Sequence, residues 1–188
     1  CMSASSIVIS GGTVVNPDGE QKVDVRIVDG VIEEVGPALT GDVIVDASGA
    51  YVSSGFVDLH THLREPGNEE AETIETGSRA AVKGGYTAVV AMPNTDPAQD
   101  SVLGVRFVRE RGEQVGLCEV VPSGCITMGR EGTQLAPYGA LASEGVHLFT
   151  DDGNGVQDPL IMRRALEYAR SVGVTLAQHC EVARLTEG

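Results

Sequence analysis

The sequence contains no tryptophan, few basic residues and no long apolar segment. Its 13 lysine and arginine residues are outnumbered by 27 aspartate and glutamate residues, which gives a formal net charge of −14. This balance argues against nucleic acid as a ligand, because a protein needs lysine and arginine to replace the counterions around phosphates. No apolar run approaches the roughly 18 residues that a membrane-spanning helix needs, so we also predict no association with a membrane.

Cysteine is too sparse for a disulfide scaffold, and no CxxC pair occurs. We expect the cysteines to be reduced and structural, as in most cytosolic proteins. The N-terminus lacks the basic and then apolar layout of a secretory signal, so we predict a cytoplasmic location. The chain opens with Cys-Met and stops at Gly188, just after a predicted strand, and we therefore expect a piece of a longer protein. The cysteines are Cys1, Cys118, Cys125 and Cys180.

Residues 1–54 have the pattern of a small β domain. The segment 23–27 alternates apolar and polar residues, as a half-buried strand does. Asp29-Gly30 is a turn signal, and the segment 31–35 that follows it again favours a strand. We predict short strands joined by turns throughout this region.

From Gly55 onward the pattern changes to an apolar strand followed by a helix, repeated along the chain. The last helix is the most clearly marked, because Asp158 can cap its start, Pro159 suits its first turn and Gly173 can end it. Such alternation favours a parallel sheet covered by helices. We predict the first five strand–helix units of a (β/α)8 barrel over residues 55–188, with a doubly wound open sheet as the alternative. The predicted strands are 55–59, 86–92, 117–122, 146–150 and 174–178, and the predicted helices are 73–84, 101–112, 133–144 and 158–172.

Two histidines end the first predicted barrel strand. His60 and His62 are two residues apart, so on a strand both imidazoles point to the same face and can reach one metal ion. The active site of a parallel barrel lies at the carboxyl ends of its strands, which is where this pair falls. The alternative is a chance pair of surface or core histidines.

An aspartate pair and a third histidine follow two later strands. Asp151 and Asp152 come after the fourth predicted strand, and His179 comes after the fifth. Either aspartate could simply cap a loop with Gly153. A metal site is favoured because histidine and carboxylate side chains fall at the same end of strands one, four and five. These donors suit zinc, with manganese or cobalt as alternatives, and one carboxylate could bridge two ions.

Two further residues are candidates for substrate binding. Arg64 directly follows the histidine pair, so its guanidinium could clamp a carboxylate beside the metal. Asn94 ends the second predicted strand and offers an amide donor. The alternatives are a surface ion pair of Arg64 with Glu65 or Glu69, and a plain turn role for Asn94.

The sequence resembles the dihydroorotase family of the amidohydrolase superfamily, in its longer bacterial (type I) form. The resemblance rests on the motifs DLHTHLREPG, ETIETGSRAAVKGGYTAVVAMPNTDP, FTDDG and QHCE. It covers nearly the whole chain, including the small β unit, which in that family is part of a second, β-sandwich domain completed by the C-terminus. The resemblance therefore implies a metal-dependent barrel of the TIM type.

The resemblance also implies roles for individual residues. His60, His62, Asp152 and His179 would be ligands of two zinc ions, bridged by Asp152 and a hydroxide that attacks the ring amide. Asp152 is preferred over Asp151 because it matches the second aspartate of the motif, and neighbours on an extended chain face opposite ways. The family's catalytic aspartate of strand eight and a histidine of strand six have no counterpart in this segment, so it is predicted to hold no catalytic acid or base. The implied substrate-binding residues are His62, Leu63, Arg64 and Asn94.

The implied reaction is the reversible cyclisation of N-carbamoyl-L-aspartate to L-dihydroorotate in pyrimidine (UMP) biosynthesis. We expect the 188-residue piece alone to be inactive, because it lacks the later strands. Implied partners are the small-molecule substrate, aspartate transcarbamoylase and, at full length, further copies of the protein.

Two alternatives to this function come from the same superfamily. A dihydropyrimidinase-like or allantoinase-like cyclic amidase would typically carry a lysine on strand four, and residues 146–155 contain none. A non-catalytic dihydroorotase-like scaffold for aspartate transcarbamoylase would typically lack metal ligands, whereas every ligand that this segment could supply is present.

Overall fold

The computed structural model describes residues 5–186, and the chain divides into two compact units, Cys1–Ser54 and Gly55–Gly188. Cys1 lies outside the described residues, while Cys118, Cys125 and Cys180 are free thiols. No helix among residues 5–186 has the length and apolar character required to cross a bilayer.

Residues 5–54 of the first unit form seven strands in two sheets. The larger sheet has the order β5-β4-β1-β6 and the smaller one β3-β2-β7. Strand β1 pairs antiparallel with β4 but parallel with β6, and this parallel pairing joins segments that no local turn connects. The strands are β1 (Ser6–Ser10), β2 (Thr13–Asn16), β3 (Gly19–Lys22), β4 (Asp24–Val28), β5 (Val31–Gly36), β6 (Val43–Asp46) and β7 (Tyr51–Val52).

The carboxylate of Asp24 accepts hydrogen bonds from two loop segments of the first unit. Asp24 is only 9% exposed, and its Oδ1 accepts hydrogen bonds from Ser10 Oγ at 2.9 Å and from the Gly11 amide at 3.1 Å. Its Oδ2 accepts from the Leu39 amide at 3.1 Å. These three hydrogen bonds lower the pKa of Asp24, and that of the Gly11 amide lowers it most.

The second unit alternates strands and helices. Strands β8, β9 and β10 form a parallel sheet in the order β10-β9-β8, and β11 and β12 form a parallel pair. A parallel bridge between Gly124 and Phe149 joins the end of β10 to β11. The elements are β8 (Phe56–Thr61), α1 (Ile74–Lys83), β9 (Tyr86–Ala91), α2 (Val102–Val115), β10 (Glu119–Pro122), α3 (Tyr138–Ser143), β11 (Leu148–Phe149), α4 (Pro159–Val172), β12 (Thr175–Leu176) and α5 (Ala183–Thr186).

Helix α3 is shorter than the sequence predicts. The prediction begins at residue 133, whereas the helix begins at Tyr138, after Pro137. Proline disfavours helical geometry in the residue before it, and Leu135 instead forms a bridge with Thr127. Helix α4 agrees with its predicted caps, since Asp158 accepts from the Leu160 amide and Gly173 ends the helix in the left-handed region.

Candidate metal centre

The histidine pair lies at the carboxyl end of β8, the edge strand of its sheet. The rings of His60 and His62 are 5.1 Å apart between centroids and meet edge to face. The side chain of His60 is 56% exposed and that of His62 is 31% exposed, so both remain open to a ligand.

Asp152 is the residue toward which the histidines converge. Its Oδ1 lies 3.4 Å from His60 Nε2, and its Oδ2 lies 3.6 Å from His62 Nε2. His179, which follows β12, brings its Nδ1 to 3.8 Å from the same Oδ1 that faces His60. The carboxylate itself is nearly buried, with 7% of the residue exposed.

These distances fit a shared cation better than direct hydrogen bonds. Hydrogen bonds between nitrogen and oxygen span about 2.7–3.2 Å. Two ligands of a tetrahedral zinc ion at about 2.0–2.1 Å lie roughly 3.3 Å apart. Potential ligand atoms of His60, His62 and Asp152 all lie within 4.8 Å of one another, and nitrogen and carboxylate donors are those that zinc accepts. His179 is not a member of this compact group of three, although it faces the same carboxylate.

Asp151 faces away from the histidines. Its Oδ1 accepts hydrogen bonds from the amides of Ile126 and Thr127, at 2.8 Å and 3.0 Å, and its Oδ2 accepts from the Thr127 hydroxyl. The residue is fully buried, and burial raises the pKa of its carboxyl despite these donors. Adjacent aspartates thus point to opposite sides, with Asp151 tied to the loop after β10 and Asp152 turned toward the histidines.

Asn94, which follows β9, connects two members of the cluster. Its Oδ1 lies 3.1 Å from His62 Nδ1, and its Nδ2 donates to Asp152 Oδ2 at 3.2 Å. An amide oxygen can only accept, so this contact favours the neutral tautomer of His62 that has its proton on Nδ1 and its lone pair on Nε2, the nitrogen that faces the carboxylate. This is a tautomer that can bind a metal through Nε2.

Arg64 holds an unusual backbone conformation beside the cluster. Its φ of 58° lies in the left-handed region, and its side chain makes no ion pair or hydrogen bond with residues 5–186. The acidic neighbours are engaged elsewhere: Glu65 pairs with Arg111 at 3.2 Å, and Glu69 accepts from the Gly67 amide. The surface ion pair considered for Arg64 is therefore absent from this part of the chain.

Leu63 differs from the other predicted substrate-binding residues. Its side chain is 5% exposed and packs in a core cluster with Ile74 and Val89. Any contact between Leu63 and a ligand at this end of the barrel would therefore use its backbone, and the side chain serves packing.

Two residues that contact the site, Arg130 and Glu181, were not predicted from the sequence. Arg130 Nη1 donates to the carbonyl oxygen of Asp152 at 2.7 Å, and the Arg130 carbonyl accepts from Asn154 Nδ2. His179 Nε2 lies 3.0 Å from Glu181 Oε2. The position of Glu181, two residues after the candidate ligand His179, was a signal for their contact. No local pattern marks the contact of Arg130 with Asp152.

Comparison with solved structures identifies the fold as that of barrel proteins of the amidohydrolase type. L-hydantoinase from Arthrobacter aurescens superposes with a TM-score of 0.77 at 17% identity, over 92% of this chain and 40% of that one. D-hydantoinase from a Thermus species gives 0.71 at 27% identity, over 95% and 41%. A solved dihydroorotase gives 0.62 at 17% identity, over 92% and 50%. The fold is therefore the first part of the predicted (β/α)8 barrel.

Sequence comparison assigns the family. Residues 49–188 match the family of dihydro-orotase-like proteins, so the chain belongs to that family. It is 54% identical over 190 residues to the dihydroorotase of Mycobacterium tuberculosis, which covers 97% of this chain and 43% of the relative. The dihydroorotase of Streptomyces coelicolor is 47% identical, with 98% and 43% covered. The chain thus spans less than half the length of these curated relatives.

Proposed function

We propose that the protein containing this chain is a zinc-dependent dihydroorotase, which interconverts N-carbamoyl-L-aspartate and L-dihydroorotate. Support comes from the family membership and from the 54% identity to a relative named dihydroorotase. The observation that carries the proposal is the approach of three imidazole nitrogens to the two oxygens of Asp152, at 3.4, 3.6 and 3.8 Å.

We further propose that His60, His62, Asp152 and His179 hold two zinc ions. Two ions suit the site because both Asp152 oxygens face imidazoles, Oδ2 toward His62 and Oδ1 toward His60 and His179. Bound zinc would supply Lewis acidity toward the ring amide carbonyl and toward the attacking water. Asp152 would hold its position through the Arg130 hydrogen bond to its backbone carbonyl.

The substrate carboxylate would be bound by Arg64, with Asn94 as a second donor. The Arg64 guanidinium has no ionic partner within the described chain and can offer two parallel N–H groups to a carboxylate. Asn94 lies against the ligand cluster, and its amide donor is within reach of an anion placed there. Together these residues would orient the ring so that its amide faces the cluster.

The test uses the complete gene product, stripped of metal with a chelator and then supplied with zinc. We expect zinc-dependent ring opening of dihydroorotate and little turnover of dihydrouracil or allantoin. Arg64→Ala should lower kcat/KM for dihydroorotate roughly 100-fold, because charged hydrogen bonds to the substrate are lost. Arg79→Ala is the matched control, since Arg79 is an exposed arginine paired with Glu75 on α1.

The same assay can reject the proposal in two ways. Turnover of dihydrouracil or allantoin without turnover of dihydroorotate would indicate the related cyclic amidase. A protein that binds no zinc and turns over none of the three would indicate the non-catalytic scaffold.

A further inference from the structure

We infer that Glu181 is a positioning residue for the proposed metal centre, holding the imidazole of His179 so that Nδ1 faces Asp152. The inference rests on the proposed function, because it concerns how one of the proposed ligands is presented. Its basis is the pair of contacts on one ring: Nε2 lies 3.0 Å from Glu181 Oε2, and Nδ1 lies 3.8 Å from Asp152 Oδ1.

The chemistry of imidazole assigns a different task to each nitrogen of His179. A neutral ring has one N–H donor and one lone pair, and an ionised carboxylate can only accept. The hydrogen bond to Glu181 therefore takes the proton on Nε2 and leaves the lone pair on Nδ1. That lone pair points toward a carboxylate oxygen of Asp152, an arrangement of two acceptors that a cation between them would stabilise. Carboxylates behind ligand histidines commonly orient them in this way.

Glu181 is itself held in place from two sides. Its Oε1 accepts from Thr186 Oγ1 at 2.9 Å, and its backbone carbonyl accepts from Gln157 Nε2 at 2.9 Å. The amide oxygen of Gln157 in turn accepts from the Ala183 backbone. Because these contacts fix the short segment after His179, the carboxylate can orient the ring with little further loss of conformational entropy.

A plain surface ion pair is the competing explanation. The side chains of His179 and Glu181 are 35% and 47% exposed, and exposed ion pairs of this kind contribute little to the stability of a fold. The two explanations differ in what they predict for metal binding. A surface pair would leave metal affinity unchanged when Glu181 is replaced, whereas a positioning residue would not.

The experiment measures zinc affinity of the complete, metal-free gene product by competition with a chromophoric chelator. Glu181→Ala should weaken the binding of the zinc ion held by His179 by about 10- to 100-fold. This is the usual effect of losing a hydrogen-bond partner behind a ligand histidine. Glu181→Gln should stay within about threefold of the wild type, because its amide oxygen still accepts from Nε2. Glu167→Ala is the matched control, since Glu167 is 62% exposed and pairs with Arg163 on α4.

Thermal unfolding of the same metal-free proteins separates positioning from folding. We expect Tm to change by less than about 2 °C in all three variants, because each replaces an exposed side chain. Wild-type affinity in Glu181→Ala, equal losses in the Ala and Gln variants, or an affinity loss matched by a fall in Tm would each overturn the inference. A wild type that binds no zinc would overturn the proposed function along with it, whereas equal zinc binding by wild type and Glu181→Ala would remove the inference alone.

Discussion

Asp24 in the first unit and Asp151 in the second are buried carboxylates that accept hydrogen bonds from the same kinds of donor. Each accepts from two backbone amides and one side-chain hydroxyl: Asp24 from residues 10, 11 and 39, Asp151 from residues 126 and 127. Each ties together segments that are distant in sequence. Despite this likeness, their pKa values move in opposite directions.

The difference comes from the balance between hydrogen bonding and loss of solvent. For Asp24 the hydrogen bonds of Gly11 and Ser10 exceed the effect of burial, so its pKa is lowered. For Asp151, which is fully buried, loss of solvent is the largest effect and its pKa is raised. Donors of the same kind therefore stabilise an ionised carboxylate to different extents, according to how much water remains near it.

The largest expected difference between the two sites is in the free energy of unfolding that is lost when the carboxylate is removed. Asp151→Ala should lower the free energy of unfolding of the metal-free protein by roughly 3–5 kcal/mol, because the buried amides of Ile126 and Thr127 lose their acceptor. Asp24→Ala should lower the free energy of unfolding by less, because Gly11 is exposed and its amide can donate to water instead. Urea denaturation gives the energies, and hydrogen exchange at these amides localises them. A larger cost for Asp24→Ala would reverse the ranking.

A second contrast lies in the pH dependence of stability. The lowered pKa of Asp24 means that its ionised form stabilises the fold above the ordinary value of about 3.9, and this stabilisation is lost as the pH falls through the lowered pKa. The raised pKa of Asp151 means that its stabilisation is present below about 3.9 and is lost as the pH rises through the raised pKa.

Stability curves of metal-free wild type, Asp24→Asn and Asp151→Asn between about pH 3 and pH 7 measure this contrast. With rising pH, the advantage of wild type should grow over Asp24→Asn and shrink relative to Asp151→Asn. Differences of the same sign for both variants would contradict the opposite pKa shifts.

The smallest contrast concerns the hydroxyl donors. Thr127→Val should cost about 1–3 kcal/mol, because the buried Thr127 hydroxyl donates to Asp151 and also accepts from the Gly132 amide at 2.8 Å. Ser10→Ala should cost less, since Ser10 is half-buried and water can replace it. Thermal unfolding of the two variants measures the difference in lost stability. Equal shifts in Tm would show that the depth of burial of the hydroxyl does not determine this loss.

Local patterns in the sequence account for most of the barrel elements. The strand of residues 86–92 and the helix of residues 158–172 were predicted within one residue of β9 and α4, because apolar runs and caps are local signals. The pairing of β1 with β6 could not be predicted in this way, since parallel partners are joined by no turn. The bounds of strand β3 were not predicted, because its sequence, Gly-Glu-Gln-Lys, contains no β-branched or aromatic residue.

The candidate site was predictable to a similar extent. The placement of His60, His62 and the aspartate pair at strand ends follows from residue spacing alone. The contacts of Asn94 with His62, and of Glu181 with His179, depend on loop conformations that spacing does not encode. The metal-ligand and substrate-binding roles of these residues remain predictions, for which the experiments above are designed.

The hydrogen bond from Asn94 to Asp152 has a consequence for the order of folding. It joins residues 58 positions apart, and the histidines that complete the cluster come from still other strands. Bringing such distant segments together costs loop-closure entropy that local turns and helices do not. We therefore expect this cluster to be among the last contacts to form, after β8 through β12 have assembled.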